Sequence, residues 1–211
     1  MHFLITAGPT REPIDAVRYI GNRSSGRMGF ALARAAAEAG HAVTLLLGPV
    51  SAAEKLPGAV RVERFESTAD LERLLAAHFP ACDRLIMAAA VADYRPARVE
   101  RGKLKRQESG GAGLTLHLEP TPDLVAGVAR SKRTDQRVAA FALEQPDELE
   151  ARAVAKLRRK GADAIVANPL VTMESGAVRG TWLTAAGERC SPGVMRKLDF
   201  ARWLVERVAE M

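Results

Sequence analysis

Short apolar segments alternate along the chain with longer segments whose apolar residues recur at helical spacing. Short apolar runs between turn residues are typical of buried strands, and the longer pattern is typical of helices that bury one face. The pattern predicts strands over residues 2–7, 42–47, 60–65, 84–90, 138–143, 164–167 and 181–184. It predicts helices over residues 28–39, 68–77, 145–160 and 198–208, with a short one after residue 121. This alternation implies an α/β fold, with a Rossmann-like, mostly parallel sheet and helices on both faces.

Residues 95–113 depart from this alternation, because they are charged, show little apolar periodicity and carry glycines near their end. Such a composition is typical of an exposed loop, so we expect a protruding flap or dimerisation arm there. Residues 114–118 then alternate apolar and polar side chains, which predicts a hairpin or an edge strand. We find no repeat or linker, so the sequence predicts one domain over residues 1–211, with a flexible flap over about residues 95–113.

Composition and charge narrow the possible partners. The chain has 211 residues, of which 47% are hydrophobic and 27% charged, and a formal net charge of +6. A basic protein can bind nucleic acid or substrates with several phosphates, but only 5% of the residues are aromatic and no nucleic-acid-binding motif is present. No apolar run reaches the roughly 18 residues of a membrane helix, so we expect a cytoplasmic protein that binds neither nucleic acid nor membranes. The two cysteines, Cys82 and Cys190, are too few for a disulfide framework and are expected to be reduced.

Two loops that follow predicted strands carry the most promising chemistry, because open parallel sheets bind ligands beyond the carboxyl ends of their strands. After the first strand, residues 8–13 and 21–29 combine glycines, hydroxyl groups and the start of a helix, which suits an anion. The simpler interpretation is that residues 22–26 only cap that helix. After the fourth strand, Asp93 follows a run of small residues at 88–92 and could bind a hydroxyl or a metal ion, or serve only in a turn.

Basic residues form two further groups. Lys103, Lys105 and Arg106 lie in the flap and could clamp phosphates or simply be solvated. Lys156 and Lys160 lie four residues apart on one helix face, where like charges repel unless an anion lies between them. No Ser/His/Asp set, zinc-like cluster or pair of helical carboxylates is visible in the sequence. These patterns favour group transfer or ligation of a phosphorylated substrate over hydrolysis.

Several longer runs of sequence form a recognisable set. They are ITAGPTREPID (5–15), NRSSGRMG (22–29), AAVADY (89–94), KLK (103–105), PDL (122–124), FALE (141–144), Lys156-Leu157 with Lys160, and DAIVAN (163–168). Together they closely resemble the phosphopantothenoylcysteine synthetase family, and they span nearly the whole chain. The resemblance implies ligation of 4'-phosphopantothenate to L-cysteine in coenzyme A biosynthesis.

The resemblance also implies a two-stage reaction. The phosphopantothenate carboxylate attacks the α-phosphate of CTP, or alternatively ATP, and pyrophosphate leaves. The amine of cysteine then displaces the nucleoside monophosphate from the acyl-nucleotide. Mg²⁺ would bridge the nucleotide phosphates, with no protein side chain assigned as its ligand. The family further implies a homodimer that pairs through the arm region, and the chain could stand alone or be fused to a flavin-dependent decarboxylase.

Individual roles follow from the same resemblance. The catalytic positions are Asn22, which would hold the acyl-nucleotide, and Lys103, the flap lysine of the cysteine step. The substrate-binding positions are Asn22, Arg23, Ser24, Ser25 and Gly26. The nucleotide-binding positions are Gly8, Ala89, Asp93, Lys103, Pro122, Asp123, Leu124, Val125, Phe141, Lys156 and Lys160.

Two other classes of protein remain open. An NAD(P)-dependent Rossmann oxidoreductase could share the fold, but no G-x-G-x-x-G run follows the first strand. Neither Tyr19 nor Tyr94 is followed four residues later by the lysine that many short-chain reductases use. A non-catalytic nucleotide-binding paralogue could also keep the fold, although the presence of both Asn22 and Lys103 argues against it.

Overall fold

The computed structural model describes residues 1–51, 54–105, 113–169 and 176–211. Its helices are α1 (Arg27–Glu38), α2 (Thr68–His78), α3 (Leu124–Ser131), α4 (Leu149–Lys160) and α5 (Lys197–Glu210). Its strands are β1 (His2–Ala7), β2 (Arg11–Pro13), β3 (Tyr19–Gly21), β4 (Ala42–Leu47), β5 (Val60–Arg64), β6 (Arg84–Met87), β7 (Tyr94–Pro96), β8 (Leu118–Pro120), β9 (Arg137–Glu144), β10 (Ala164–Pro169), β11 (Ala177–Arg179), β12 (Thr181–Thr184), β13 (Arg189–Cys190) and β14 (Val194–Arg196).

One eight-stranded sheet forms the centre, with the strand order β13-β12-β10-β9-β6-β1-β4-β5. Every pair from β10 to β5 is parallel, whereas β12 and β13 add antiparallel strands at one edge. The carboxyl ends of β1, β6, β9 and β10 therefore meet along one side of the sheet. This confirms the mostly parallel, Rossmann-like sheet that the sequence predicts.

Helices cover both faces of the sheet, because successive side chains of a strand point to opposite faces. Phe3 and Ile5 of β1 pack with Phe30 of α1 and Phe200 of α5 in one buried layer. Leu4, between them, packs in the opposite layer, which contains Leu71 and Leu75 of α2, Leu124 and Val128 of α3 and Leu157 of α4. Both cores are thus continuous with the central strands.

Local signals explain where several helices begin and end. Ser67 and Asp70 form a reciprocal capping box at the start of α2. Gly161 adopts a left-handed conformation at φ 68° and ends α4, as the glycine in the sequence predicts. The predicted helix 145–160 starts later than expected, because Gln145 precedes a proline and stays extended, and a 3₁₀ turn at Pro146–Glu148 leads into α4.

Two predicted strands differ from the observed ones by three residues or more at one end. The strand predicted over residues 84–90 ends at Met87, because the backbone after it turns to bond with the loop after β1. The strand predicted over residues 114–118 is wrong in its bounds, since β8 begins at Leu118 and pairs antiparallel with β7. The pair β7–β8 closes the base of the flap, of which residues 106–112 lie outside the described part of the chain.

The long loop after β1 contains a hairpin that the apolar pattern did not reveal. Its strands, β2 and β3, pair antiparallel, and Asp15 organises the turn between them. The Asp15 carboxylate accepts hydrogen bonds from the backbone amides of Val17 and Arg18, both at 2.8 Å. The two cysteines are free thiols, as expected, and no described helix is long and apolar enough to cross a membrane.

Candidate active site

Two loops that follow neighbouring strands are joined at the carboxyl edge of the sheet. The amide of Thr10, after β1, donates to the carbonyl of Ala90, after β6, at 3.1 Å. The amide of Ala90 donates in return to the carbonyl of Gly8 at 2.9 Å. The Thr10 hydroxyl also accepts from the amide of Ala92 at 2.9 Å. These bonds fix the alanine-rich run after β6 as a rigid surface made of backbone and small side chains.

The segment that leads into α1 lies above this surface. The side-chain amide of Asn22 donates from Nδ2 to the carbonyl of Ala90 at 2.9 Å, which sets the direction of an exposed side chain. Gly26 adopts φ +73° immediately before α1, a conformation that glycine accepts without strain. Gly29 brings α1 against β1, because a Cβ at this position would lie 2.1 Å from the Cβ of Ala7. The glycines thus place the first turn of α1 close to the end of β1.

A cleft of about 880 Å³ opens over this edge of the sheet. It extends from the α1 and α5 layer to the α3 and α4 layer. Most of the residues singled out by the resemblance line it: Asn22, Arg23, Ser24, Ser25, Gly26, Ala89, Asp93, Pro122, Asp123, Leu124, Val125, Phe141, Lys156 and Lys160. The structure therefore brings together, from five separate chain segments, a set that the sequence presented only as scattered motifs.

Gly8 and Lys103 are not among the residues that line the cleft. Gly8 is buried at φ +82° and supports the cleft from behind, through its carbonyl bond to Ala90. Lys103 is exposed, and its neighbour Leu104 is held by the β2–β3 turn. The Leu104 amide donates to Asp15 at 3.1 Å, and the Leu104 carbonyl accepts from Arg18 at 2.9 Å.

Asp15 itself is a buried carboxylate with a strong preference for the charged form. Its Oδ2 accepts from Nε of Arg18 at 2.9 Å and also contacts Nη2 of the same side chain. This guanidinium, and the amides of Val17, Arg18 and Leu104, hold the pKa of Asp15 far below its usual range, although burial opposes the shift. A permanent charge at Asp15 therefore anchors the flap at Leu104.

The two lysines of α4 both have carboxylate partners. Nζ of Lys160 lies 2.9 Å from Oδ1 of Asp123, which also accepts from the amide of Ala126 and caps α3. Burial opposes the ionisation of Asp123, but Lys160 and the Ala126 amide together lower its pKa. Nζ of Lys156 lies 2.5 Å from Oε1 of Glu144, whose side chain is only 8% exposed. The sequence suggested that an external anion would balance the two lysines. In the structure, carboxylates of the protein itself form ion pairs with both of them.

Several residues that line the cleft were not selected as site residues from the sequence, among them Arg27, Arg159, Asn168 and Lys197. Asn168 lies near the end of β10, and its Oδ1 is buried without a hydrogen-bond partner. The rule that ligands lie beyond strand ends could have selected it. Lys197 begins α5, far along the chain from the motifs, so no local signal marks it.

A smaller cleft of about 350 Å³ adjoins the first one. Residues 22–25 and Arg27 line both, so this segment forms the wall between them. The far side of the smaller cleft includes Arg11, whose guanidinium lies 4.4 Å above the ring of Tyr19. Among the described residues, no group of three or more His, Cys, Asp or Glu side chains is placed to hold a metal ion.

Comparison with known proteins gives the family. The model of the DNA/pantothenate metabolism flavoprotein C-terminal domain matches residues 1–211. The chain belongs to this family. The match confirms the resemblance that the motifs indicated.

Individual relatives agree with this assignment. The chain is 45% identical over 170 residues to the coenzyme A biosynthesis bifunctional protein CoaBC of Escherichia coli, covering 80% of this chain and 41% of the relative. It is 45% identical over 166 residues to a cysteine/cysteine sulfinic acid decarboxylase from an unknown prokaryotic organism, covering 79% of this chain and 45% of the relative. The chain thus spans less than half the length of these two proteins.

A solved structure confirms the fold. The crystal structure of the C-terminal domain of a coenzyme A biosynthesis bifunctional protein CoaBC is 34% identical and superposes with a TM-score of 0.83. The superposition covers 100% of this chain and 94% of that domain. The likeness therefore includes the sheet, both helical layers and the carboxyl edge where the cleft lies.

Proposed function

We propose that this chain ligates 4'-phosphopantothenate to L-cysteine, with CTP as co-substrate, and so acts in coenzyme A biosynthesis. The observation that carries the proposal is the placement of Asn22. Its amide is oriented by Ala90 at the wall between the two clefts, beside the start of α1, in a chain of this family. A side chain held in this way is preorganised to bind a reacting acyl phosphate.

The chemistry requires binding and orientation rather than a nucleophilic side chain. In the first stage a carboxylate oxygen of phosphopantothenate bonds to the α-phosphorus, and pyrophosphate leaves with the electrons of the broken bond. In the second stage the cysteine amine attacks the acyl carbon, CMP leaves with the electrons of the broken carbon–oxygen bond, and the amine nitrogen loses a proton to the solvent. Asn22 Nδ2 retains a second N–H beyond the bond to Ala90, and this donor is free to bind an oxygen of the acyl phosphate. Arg23, Ser24, Ser25 and Gly26 would bind the phosphopantothenate beside it.

The nucleotide would lie along the larger cleft. Ala89 leaves room for the sugar against the backbone, and Asp93 offers an exposed carboxylate at the end of the loop after β6. Phe141, Pro122, Leu124 and Val125 provide apolar contacts near the paired lysines of α4, Lys156 and Lys160. We place the base there, with Asp123 as a hydrogen-bond acceptor. Mg²⁺ would enter as the complex with the nucleotide phosphates, and ATP is the alternative co-substrate.

Lys103 would reach the reacting groups from the flap. It lies outside the cleft lining, but the Leu104 peptide beside it is fixed by Asp15 and Arg18. A lysine next to a fixed point can swing toward the cleft while its backbone stays attached. The role of Lys103 in the cysteine step is the one that the family resemblance implies.

We also propose that the chain forms a homodimer through the β2–β3 hairpin and the β7–β8 pair. These elements carry large apolar side chains that are exposed: Val17 at 62%, Tyr19 at 49%, Tyr94 at 56% and Leu118 at 45%. Exposed apolar groups on neighbouring elements are typical of a protein interface. Sedimentation of the wild-type protein would test this, and a single monomer at micromolar concentration would contradict it.

One assay tests the proposed reaction. The protein is mixed with 4'-phosphopantothenate, cysteine and Mg²⁺, with CTP or ATP in separate reactions, and pyrophosphate and the amide product are measured. Pyrophosphate release that depends on phosphopantothenate, together with 4'-phosphopantothenoylcysteine, would support the ligase and identify its nucleotide. Nucleotide binding without release in either reaction would instead support a non-catalytic paralogue.

A further inference from the structure

Basic side chains line both ends of the larger cleft, and at the α4 end they include Arg159 as well as two lysines. At the α4 end, Lys156 and Lys160 each lie within 3 Å of a carboxylate oxygen, at 2.5 and 2.9 Å respectively. These lysines are therefore largely neutralised by the protein itself. The side chains of Phe141 and Val125 lie at the same end and add apolar surface. This end suits an uncharged, planar group such as a nucleobase.

At the other end, two helices begin with a basic residue at the cleft. Arg27 is the first residue of α1, and Lys197 is the first residue of α5. Within the described ranges, neither side chain forms an ion pair with a carboxylate. A helix start carries partial positive charge, so a cation in the first turn is placed against the favourable direction of the helix dipole. Both residues are therefore in positions that disfavour positive charge.

The surroundings of Lys197 also disfavour a positive charge on its side chain. Its side chain is partly buried, and burial together with the nearby charge of Arg27 lowers its pKa, while the carboxylate of Glu54 acts in the opposite direction. Arg23, which also lines the cleft, adds a third cation to this end. Three basic side chains thus line this part of the larger cleft, while Glu54 lines the adjoining smaller cleft. An anion with several charges would relieve this imbalance, whereas a single carboxylate would relieve only part of it.

We propose that Arg27 and Lys197 bind the β- and γ-phosphates of the nucleotide, which gives the nucleotide a fixed direction in the cleft. Its base lies toward α4, its α-phosphate lies near Asn22, and its two outer phosphates lie between the first turns of α1 and α5. This inference rests on the proposed function. When the bond between the α-phosphorus and the bridging oxygen breaks, that oxygen keeps the electron pair. Arg27 and Lys197 then hold the departing pyrophosphate.

The direction of binding has a chemical consequence. The attacking carboxylate oxygen and the leaving oxygen must lie on opposite sides of the α-phosphorus for an in-line displacement. With pyrophosphate held by α1 and α5, the carboxylate must approach from the side of Asn22 and the loop after β6. Lys197 is thus assigned to the leaving group, and Asn22 to the carboxylate that attacks and becomes bonded to the α-phosphate.

Binding measurements with three ligands separate the two ends of the cleft. Titration calorimetry in the presence of Mg²⁺ would compare CTP, CMP and inorganic pyrophosphate on the wild type and on Lys197→Ala. Losing a charge-assisted contact to phosphate should weaken CTP and pyrophosphate about tenfold or more. The affinity for CMP, which lacks the two outer phosphates, should stay within about twofold. Lys197→Arg should recover most of the affinity for pyrophosphate.

The matched control is Arg196→Ala. Arg196 is the neighbouring residue, its side chain is 86% exposed and pairs with Asp199, and it does not line the cleft. The substitution Arg196→Ala removes the same charge from the same helix end, and it should leave the affinities for CTP, CMP and pyrophosphate unchanged. Equal weakening by Arg196→Ala would show a general charge effect and overturn the assignment. The assignment would also be overturned if Lys197→Ala kept its affinity for pyrophosphate, or if its affinity for CMP fell by the same factor as its affinity for CTP.

The experiment also distinguishes this inference from the proposed function. If the wild type forms the amide product and Lys197→Ala binds pyrophosphate normally, only the direction of binding is wrong. If the wild type forms no product with either nucleotide, the ligase proposal fails, whatever the calorimetry shows. Circular dichroism on each variant would verify that the fold is intact.

Discussion

The carboxylate of Glu12 accepts two hydrogen bonds from Thr68, one from the backbone amide at 2.9 Å and one from the hydroxyl at 2.7 Å. Glu12 is 2% exposed and Thr68 is fully buried. The hydroxyl of Thr68 also lies 3.4 Å from that of Thr10, which accepts from the amide of Ala92. A buried polar chain therefore joins the β2–β3 hairpin, the start of α2 and the floor of the cleft.

Glu12→Ala should reduce stability strongly, because it leaves a buried amide and a buried hydroxyl without their acceptor. Each unsatisfied group costs about 1–3 kcal/mol, so we expect a loss of about 3 kcal/mol in the free energy of unfolding. Urea denaturation would measure it. Glu12→Gln keeps one oxygen as acceptor and should lose less. Equal losses for the two variants would show that the charge, not the acceptor, matters.

Asn22→Ala should abolish most of the turnover while nucleotide binding persists. Removing one preorganised donor to a developing charge lowers kcat by about 10²–10³-fold. CTP affinity, measured by calorimetry, should change little, because in the proposed binding mode the nucleotide would contact many other residues of the cleft. Ser25→Ala, in the same wall, is a suitable comparison and should retain more activity. Unchanged amide formation by Asn22→Ala would remove Asn22 from the mechanism.

Asp15→Asn should destabilise the protein in a way that depends on pH. The folded pKa of Asp15 is depressed, so its charge stabilises the fold above the unfolded pKa of about 3.9. That contribution is lost as the pH falls from about 4 toward the depressed folded value. The difference in unfolding temperature between the wild type and Asp15→Asn should therefore be constant above about pH 5 and shrink in more acidic buffer. A difference that grows on acidification would contradict this account.

Lys156 and Glu144 should show energetic coupling even in the absence of nucleotide. Lys156→Ala removes the 2.5 Å partner of the nearly buried Glu144 carboxylate and leaves its longer ion pair with Arg152 at 4.0 Å, whereas the double variant with Glu144→Gln removes the carboxylate charge as well. Since Lys156 is 36% exposed, water screens part of the effect, and we expect a coupling of about 1–2 kcal/mol. A double-mutant cycle by urea denaturation would measure it. Additive losses would mean that the two side chains are independent in solution.

The sequence predicts the central sheet well because the relevant signals are local. The strand at 42–47 has the predicted bounds, and α1 is shifted by one residue, since a run of apolar or alanine residues and the following Gly40 mark each element. The strand β8 was misplaced because its position depends on β7, far away in sequence, and not on its own alternation. The β2–β3 hairpin was missed because hydrogen bonds to Asp15, not an apolar pattern, organise it.

In the candidate site, too, the residues within sequence motifs could be predicted, and the contacts between distant segments could not. Motif residues such as Asn22 and Phe141 were selected by resemblance, and the fold places them in one cleft. Lys197 could not be selected in this way, because it meets Arg27 only through the packing of α5 against α1. The partners of Lys156 and Lys160 were also hidden, since Glu144 and Asp123 come from different segments of the chain. Pairing between distant segments is the information that only the folded structure supplies.

The alanine-rich floor after β6 has a consequence for inhibitors. A compound that lies against Ala89 and Ala90 meets backbone and methyl groups, which offer few side-chain contacts for a point mutation to delete. A larger residue there would exclude the compound, but it would also fill the space that the natural ligand must occupy. Resistance by such a substitution would therefore impair the protein itself.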